Sequence, residues 1–478
     1  MELDQSTFSK IVRVSPVTVV LIGGSPRSGT TLLADIFNEN EHAGIFVEYS
    51  FSQFLSDLLP IFSYGQSSNH QRAISSPDRG EMNNVFVEGG NEEGGRAGDI
   101  VRATAGNYNG INNLPRMRHQ ARYPKLEDLA QIAHAVVCTA LAKKDLRIIG
   151  SKTPNLHDHV DVERVFKTFD KVKVVFMIRN PLAVVNSSLR RRNNTLIGSD
   201  DWHVVDAERA VHEYIENIVK MISLSKVWPE CCFLIKYEDL IKEEHKVIDK
   251  LSDFLTEKVY SRNLSVLSQQ QHIILTDKET RVVERAFGSV LQKWEGLLLT
   301  GRVNDIICNL HGCVYSIVLG EVISFRLSAE AEKRKYLGLG WSGVESEGVW
   351  SDCSEAHIIF DAASNQDCVI RLELTPFLPD GYLEMEITLN GHVLFKKSIM
   401  TQEFLLSGNF KLESEYMLIF QSPCIVKLDC TSLNSNAPNI LAFKFPRLIS
   451  GLDRGISKDP RRLGIQLREL SISPVHKA

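Results

Sequence analysis

The stretch Val19-Val20-Leu21-Ile22-Gly23-Gly24-Ser25-Pro26-Arg27-Ser28-Gly29-Thr30-Thr31-Leu32-Leu33 decides the fold. Val17 to Ile22 is a short run rich in β-branched residues, the pattern of a strand covered on both faces. Gly23, Gly24 and Gly29 let the chain turn sharply and come close to a ligand. Thr30 and Thr31 then open a helix whose Leu32, Leu33, Ile36 and Phe37 share one face. The first N–H groups of a helix have no intrahelical partner, and its dipole favours an anion there. Strand, loop and helix together predict a phosphate cradle.

Gly24 and Gly29 have the spacing of the ATPase phosphate loop, G-x-x-x-x-G-K-[ST], but Thr30 occupies the lysine position. The positive charge comes instead from Arg27, inside the loop. A phosphate is then gripped without being the group transferred. The run Pro26-Arg27-Ser28-Gly29-Thr30-Thr31 resembles the 5′-phosphosulfate loop of sulfotransferases, whose donor is 3′-phosphoadenosine 5′-phosphosulfate (PAPS). Its arginine is the form similar to that of protein-tyrosine and bacterial glycan sulfotransferases. The resemblance spans about residues 15 to 300 and implies that these six residues bind the donor.

Further pieces follow in order. Gly44 to Glu48 reads as a short strand ending in a carboxylate, 21 residues after Arg27. The resemblance makes Glu48 the catalytic base; a solvated edge glutamate is the other reading. Leu146 to Pro154 reads as a strand and its exit. There the resemblance gives Lys152 a catalytic role, stabilising charge on the leaving phosphate, against a plain surface lysine. His157 and His159 are fallback bases. Lys173 to Arg179 is another buried strand, after which Asn180 as N-cap and Pro181 as first helical residue start a helix. Arg179, with Ser187 eight residues on, resembles the family's site for the ribose 3′-phosphate, where arginine forks onto phosphate. Arg190-Arg191-Arg192 adds positive potential or caps that helix. Tyr237, in Tyr237-Glu238-Asp239-Leu240, resembles a strand-end tyrosine near the adenine, with core packing as the alternative. Lys293, before Trp294, resembles a late lysine near the donor phosphates.

Helices are predicted over Leu126 to Lys144, Ala207 to Trp228 and Val247 to Leu255. Strands and helices alternate, so the expected fold is α/β: a P-loop-type parallel sheet with helices on both faces. Its sites fall at strand carboxyl ends, the edge where open α/β sheets bind ligands. Ser63 to Pro124, rich in Gly, Asn, Ser and Arg, reads as a lid or acceptor loop, the acceptor loop first, or as a partly disordered stretch. Its Arg116, Arg118 and Arg122 either meet an acidic acceptor or are solvated.

At 478 residues the chain exceeds one core, and 43% hydrophobic and 24% charged residues suit a soluble globular protein. A net charge of −5 argues against a dedicated nucleic-acid binder. Nine cysteines, an odd count with no C-x-x-C, fit free thiols in a reducing compartment; Cys231 and Cys232 are expected side by side within one strand. No Cys/His set has zinc-finger spacing, so no metal is expected. No segment reaches the roughly 18 apolar residues of a membrane span, and Met1 to Arg13 lacks a signal-peptide core. A cytoplasmic protein without a transmembrane segment is expected; composition leaves its oligomeric state open.

Beyond about residue 300 the texture changes to short strands. Tyr382 to Leu389 alternates cleanly, and Asn390-Gly391 reads as a two-residue hairpin turn. His357 to Phe360, Cys368 to Leu374, Ile425 to Leu428, Leu441 to Phe445 and Leu467 to Ile472 are further strands. A β-sandwich of jelly-roll type is expected. The implied organisation is a sulfotransferase domain over 1–300, a linker over 301–335 and a β-sandwich accessory domain over 336–478. Gly340-Trp341-Ser342-Gly343, Gly348 to Asp352 and Asp459 to Ile465 resemble a β-module of bacterial polysaccharide-building enzymes. Trp341 and Trp350 either stack on sugar rings or anchor turns. The resemblances together imply sulfuryl transfer from PAPS to a hydroxyl, of a bacterial surface saccharide first and of protein tyrosine second. A P-loop kinase or NTPase, and a non-catalytic glycan-binding scaffold, are the competing classes.

Overall fold

The computed structural model describes residues 17–47, 143, 145–153, 168–194, 206–260, 273–326, 334–362, 367–400, 424–430, 433–451 and 461–475, with isolated positions between 134 and 166 and at 454. Residues 191–194, 334 and 424 are described in backbone only. Glu48, His157, His159, the acceptor loop and most of the helix expected over Leu126 to Lys144 lie outside the described residues.

The first sheet contains β1 (Thr18–Gly24), β2 (Ala43–Val47), β3 (Ile148–Lys152), β4 (Val172–Ile178), β5 (Cys232–Lys236) and β6 (Gly301–Arg302), in the order β2-β3-β1-β4-β5-β6. β1 to β5 are parallel, as the apolar strands require, while β6 pairs antiparallel with β5 and makes the sheet mixed at that edge. Helices α1 (Thr30–Glu39), α2 (Pro181–Asn194), α3 (Ala207–Val227), α4 (Tyr237–Lys242), α5 (Glu244–Leu255), α6 (Asp277–Leu291) and α7 (Val303–Ile306) cover it. Alternate strand residues sort to the two faces. Val19, Leu21, Val174 and Phe176 pack with α2, α3 and α6; Val20, Ile22, Val175 and Met177 pack with α1 and α5. Each such buried apolar side chain contributes about 1.5–3 kcal/mol. Helix α6 was not anticipated, although Thr276 and Glu279 form a full capping box at its start. Cys231 closes a 3-10 turn (Pro229–Cys231) and only Cys232 enters β5, correcting the expectation of both in one strand. The described cysteines are free thiols.

Register aligns the carboxyl ends. Ile22 and Val47 both lie opposite Lys152, Gly24 opposite Met177, and Ile178 opposite Lys236. The loop after β1, Lys152, Arg179 and Tyr237 therefore share one rim. At the opposite, amino edge, Lys143 Nζ donates to the carbonyls of Asn38, Asn40 and Ala43 at 2.5, 2.9 and 2.7 Å, closing the end of α1 onto β2.

The second half is antiparallel. One sheet holds β7 (Val322–Ser324), β8 (Trp341–Glu345), β9 (Gly348–Ser351), β11 (Cys368–Pro376), β14 (Cys424–Cys430) and β18 (Ile465–Pro474). The other holds β10 (Glu355–Phe360), β12 (Tyr382–Leu389), β13 (His392–Met400) and β15 (Asn439–Lys444). A ribbon of β16 (Ile449–Ser450) and β17 (Arg462–Leu463) completes it. Ile358, Met385, Ile387 and Phe443 of one sheet share a core with Ile370, Leu372, Leu467 and Ile472 of the other. Asn390 and Gly391 have φ of 52° and 86°, as a type I′ hairpin turn needs. Residues 303–325 belong to both halves: Val303, Ile306 and Leu310 sit in the first core, Ile317 and Phe325 in the second, and β7 pairs with β18.

A buried seam joins the halves. The Leu339 N–H donates to Ser223 Oγ on α3 at 2.8 Å, and Ser223 Oγ meets His357 Nδ1 at 2.6 Å. His357 Nε2 meets Glu355 Oε1 at 2.9 Å. The Glu355 carboxylate only accepts, so Nε2 carries the proton that it receives, and in that tautomer Nδ1 accepts from the Ser223 hydroxyl. Ser223 and His357 are fully buried.

Candidate active site

The loop is set by local geometry. Gly24 has φ 139°, and a Cβ there would lie 2.4 Å from the Met177 carbonyl oxygen, so the turn off β1 requires glycine. Gly29, φ 101°, is the N-cap of α1 and makes no side-chain cap hydrogen bond. The first-turn N–H groups of Thr30 and Thr31 are thus left to the mouth of the loop, a ready anion site. Thr30 is buried, Thr31 exposed and Pro26 half-buried. Ser28 is buried; its hydroxyl and its N–H both donate to the Ser25 carbonyl, at 2.6 and 3.1 Å, so this residue shapes the loop.

Arg27 links the two expected cradles. Held at φ 70° and exposed, it donates from Nε to Ser187 Oγ at 3.0 Å, across 160 residues of chain. Arg179 Nη1 donates to the Arg27 carbonyl at 3.3 Å. The bridge is therefore Arg27 to Ser187 and Arg179, with Ser28 turned inward. The Tyr214 hydroxyl holds the Arg179 carbonyl at 2.8 Å, and burial pushes this phenol well above its ordinary range, keeping it a donor. The Asn180 N–H donates to Glu238 Oε1 at 2.8 Å, while Asn180 Oδ1 caps the Leu182 N–H at 3.0 Å. The Arg179 guanidinium lies 4.2 Å from the centre of the Tyr237 ring.

Lys152 ends β3 on the same rim, buried at 2% exposure. Lys293 is exposed, with no described contact joining it to the loop; its neighbour Trp294 is the buried one, gripped at its carbonyl by Lys236 Nζ at 2.6 Å. Tyr214 and Glu238 were missed as site residues. Tyr214 lies in an apolar helical stripe that hides its hydroxyl's use, and Glu238 adjoins Tyr237 with no motif of its own. Burial drives Glu238 above the usual carboxylate range, against the pull of the Asn180 N–H, the nearby Trp294 indole and the Arg179 charge. That indole N–H and Glu238 Oε2 are both buried outside hydrogen-bond geometry.

Trp350 is buried edge-on to Phe377, and Trp341 donates its indole N–H to the His357 carbonyl at 2.8 Å while packing edge-on to Phe443. Both anchor the second half. Among the described residues no group of His, Cys, Asp and Glu side chains is arranged to hold a metal ion, and no helix is long and apolar enough to cross a membrane.

Among solved structures, the sulfotransferase domain of the Synechococcus PCC 7002 olefin synthase is 16% identical at a TM-score of 0.32, covering 57% of this chain and 96% of that one. The sulfotransferase domain from the curacin biosynthetic pathway is 21% identical at 0.31, covering 62% and 99%. Sulfotransferase STF9 from Mycobacterium avium is 12% identical at 0.32, covering 62% and 81%. No curated protein matches the chain. The model of the sulfotransferase family matches residues 19–260, just over half of the 478 residues and the span that carries the loop, Lys152, Arg179, Ser187 and Tyr237. The chain belongs to the sulfotransferase family.

Proposed function

We propose that the chain transfers a sulfuryl group from PAPS to a hydroxyl acceptor, with a bacterial surface saccharide as the acceptor class. The observation that carries the donor assignment is the pairing of Arg27 Nε with Ser187 Oγ at 3.0 Å, with Arg179 on the Arg27 carbonyl. It makes one assembly of a loop suited to a 5′-phosphate and an arm suited to a 3′-phosphate. The uncapped start of α1 adds N–H donors, so the residues fit a doubly phosphorylated nucleotide.

When bound, the donor supplies the sulfuryl group and leaves as adenosine 3′,5′-bisphosphate. The chain's own residues do the rest. Pro26 to Thr31 and Arg27 hold the 5′ end, Arg179 and Ser187 the 3′-phosphate. Lys152 offsets charge on the leaving phosphate oxygen, and Glu48 takes the acceptor's hydroxyl proton. The saccharide acceptor rests on the β-module resemblance of the second half, and the odd cysteine count supports a cytoplasmic setting.

The test is a titration of adenosine 3′,5′-bisphosphate, ADP and 5′-AMP against the full chain and its Arg179→Ala variant. The bisphosphate should bind at least about ten-fold tighter than 5′-AMP, as a charge-assisted phosphate contact implies, and the variant should lose that margin. Preference for ADP overturns the reading.

A further inference from the structure

Two dipeptides on neighbouring strand ends meet residue for residue. Arg179 and Asn180 lead from β4 into α2, and Tyr237 and Glu238 lead from β5 into α4. The Arg179 guanidinium lies on the Tyr237 ring at 4.2 Å, and the Asn180 N–H sits on Glu238 Oε1 at 2.8 Å. The ring also presses on the loop: a Cβ on Gly29 would stand 2.5 Å from Tyr237 Cδ2. Tyr237 is thus wedged between the glycine that caps α1 and the arginine of the other phosphate arm.

We propose, resting on the sulfotransferase reading, that Tyr237 is a positioning residue that fixes the Arg179 guanidinium for the ribose 3′-phosphate and ties its position to the loop at Gly29. A free arginine side chain has much rotamer freedom to lose when it grips a ligand. A guanidinium already resting on an aromatic face has lost part of that freedom before the ligand arrives, which strengthens binding. The contact places the guanidinium carbon over the negative face of the ring, whereas the N–H donors that fork onto phosphate radiate outward from that carbon. Tyr214 on the Arg179 carbonyl and Arg27 at Nη1 restrain the same residue from two other sides. Glu238 anchors the start of α2, so Ser187 on that helix is held in the same frame.

The experiment compares the full chain with Tyr237→Phe, Tyr237→Leu and a series of fluorinated phenylalanines at position 237, measuring affinity for adenosine 3′,5′-bisphosphate and for 5′-AMP. Tyr237→Phe should keep the wild-type preference for the bisphosphate. Tyr237→Leu should lose about ten-fold of bisphosphate affinity, the range of a partly desolvated cation–π contact, with little change for 5′-AMP. Fluorination, which weakens the ring face at nearly constant shape, should erode the preference step by step; it decides the matter if Tyr237→Leu fails to fold. Equal losses for both nucleotides would place the ring against the shared adenosine and overturn the proposal. So would an unchanged preference in Tyr237→Leu and the fluorinated series. A wild-type chain that binds both nucleotides alike overturns the sulfotransferase reading itself, and this inference with it.

Discussion

The rim of the first sheet and the seam between the halves use the same materials, a serine, cationic or imidazole nitrogen, and a carboxylate, and end in opposite states. At the seam, Ser223 and His357 are 0% and 1% exposed, and Leu339, Ser223, His357 and Glu355 form a closed line of hydrogen bonds. At the rim, Arg27 is exposed and meets Ser187 beside a helix start with no side-chain cap, and the half-buried Arg179 donates to the Arg27 carbonyl. A serine beside a histidine and a glutamate invites a catalytic reading. Burial decides otherwise here, because a nucleophile with no exposed surface reaches no substrate. Accessibility, more than residue type, separates the exposed Arg27 of the rim from the enclosed Ser223 and His357 of the seam.

Three substitutions can break or sharpen that contrast. Glu48→Gln should have the largest effect, a loss of about 100-fold or more in turnover, the usual reach of a general base, with the melting temperature unchanged. A drop in melting temperature with turnover preserved would move Glu48 to the structural side. His357→Ala should do the reverse. Loss of a buried, doubly bonded ring should cost about 2–4 kcal/mol in urea unfolding. Nucleotide affinity of the folded chain should stay within about two-fold, since distant sites act independently; a larger change would show that the seam sets the rim. Glu238→Gln should be the mildest. Burial raises the folded pKa of Glu238, so between the ordinary carboxylate value and that raised value the folded state keeps a proton the unfolded chain has lost. Stability therefore falls as pH rises through this window, and the glutamine variant, still able to accept from the Asn180 N–H, should show a flatter profile there. An unaltered pH profile of unfolding would rule out Glu238 as its source.

The sequence announced the rim better than the seam. Val17 to Thr31 and Asn180-Pro181 carry their geometry locally, in apolar runs, glycines and caps, so strand, loop and helix starts fell where expected. Arg179 and Ser187 were singled out by resemblance, and what the fold shows of them is their place, one after a strand end and the other on the helix that follows. The inward turn of Ser28 was not readable, because a hydroxyl's partner depends on a 2.6 Å contact that no pattern encodes. The same holds for Tyr214 and Lys236, long side chains whose polar tips find backbone carbonyls from far along the chain. The alternating β12 and its Asn390-Gly391 turn were plain, whereas Ser223 and His357 lie 134 residues apart on a helix and a strand with no shared period. Non-local pairings between unlike elements leave no periodic trace.

Helix α3 bears on whether the two halves can be exchanged like parts. Tyr214 near its middle steadies the Arg179 carbonyl, and Ser223 near its end receives Leu339 and His357. Leu339, Ile359 and Ile440 of the β half plug into the core of the α/β half. Severing the chain ahead of them would uncover greasy ground on the very helix that steadies the Arg179 carbonyl. A transplanted partner would have to reproduce a histidine and three apolar plugs before the enzyme half could stand as it does here.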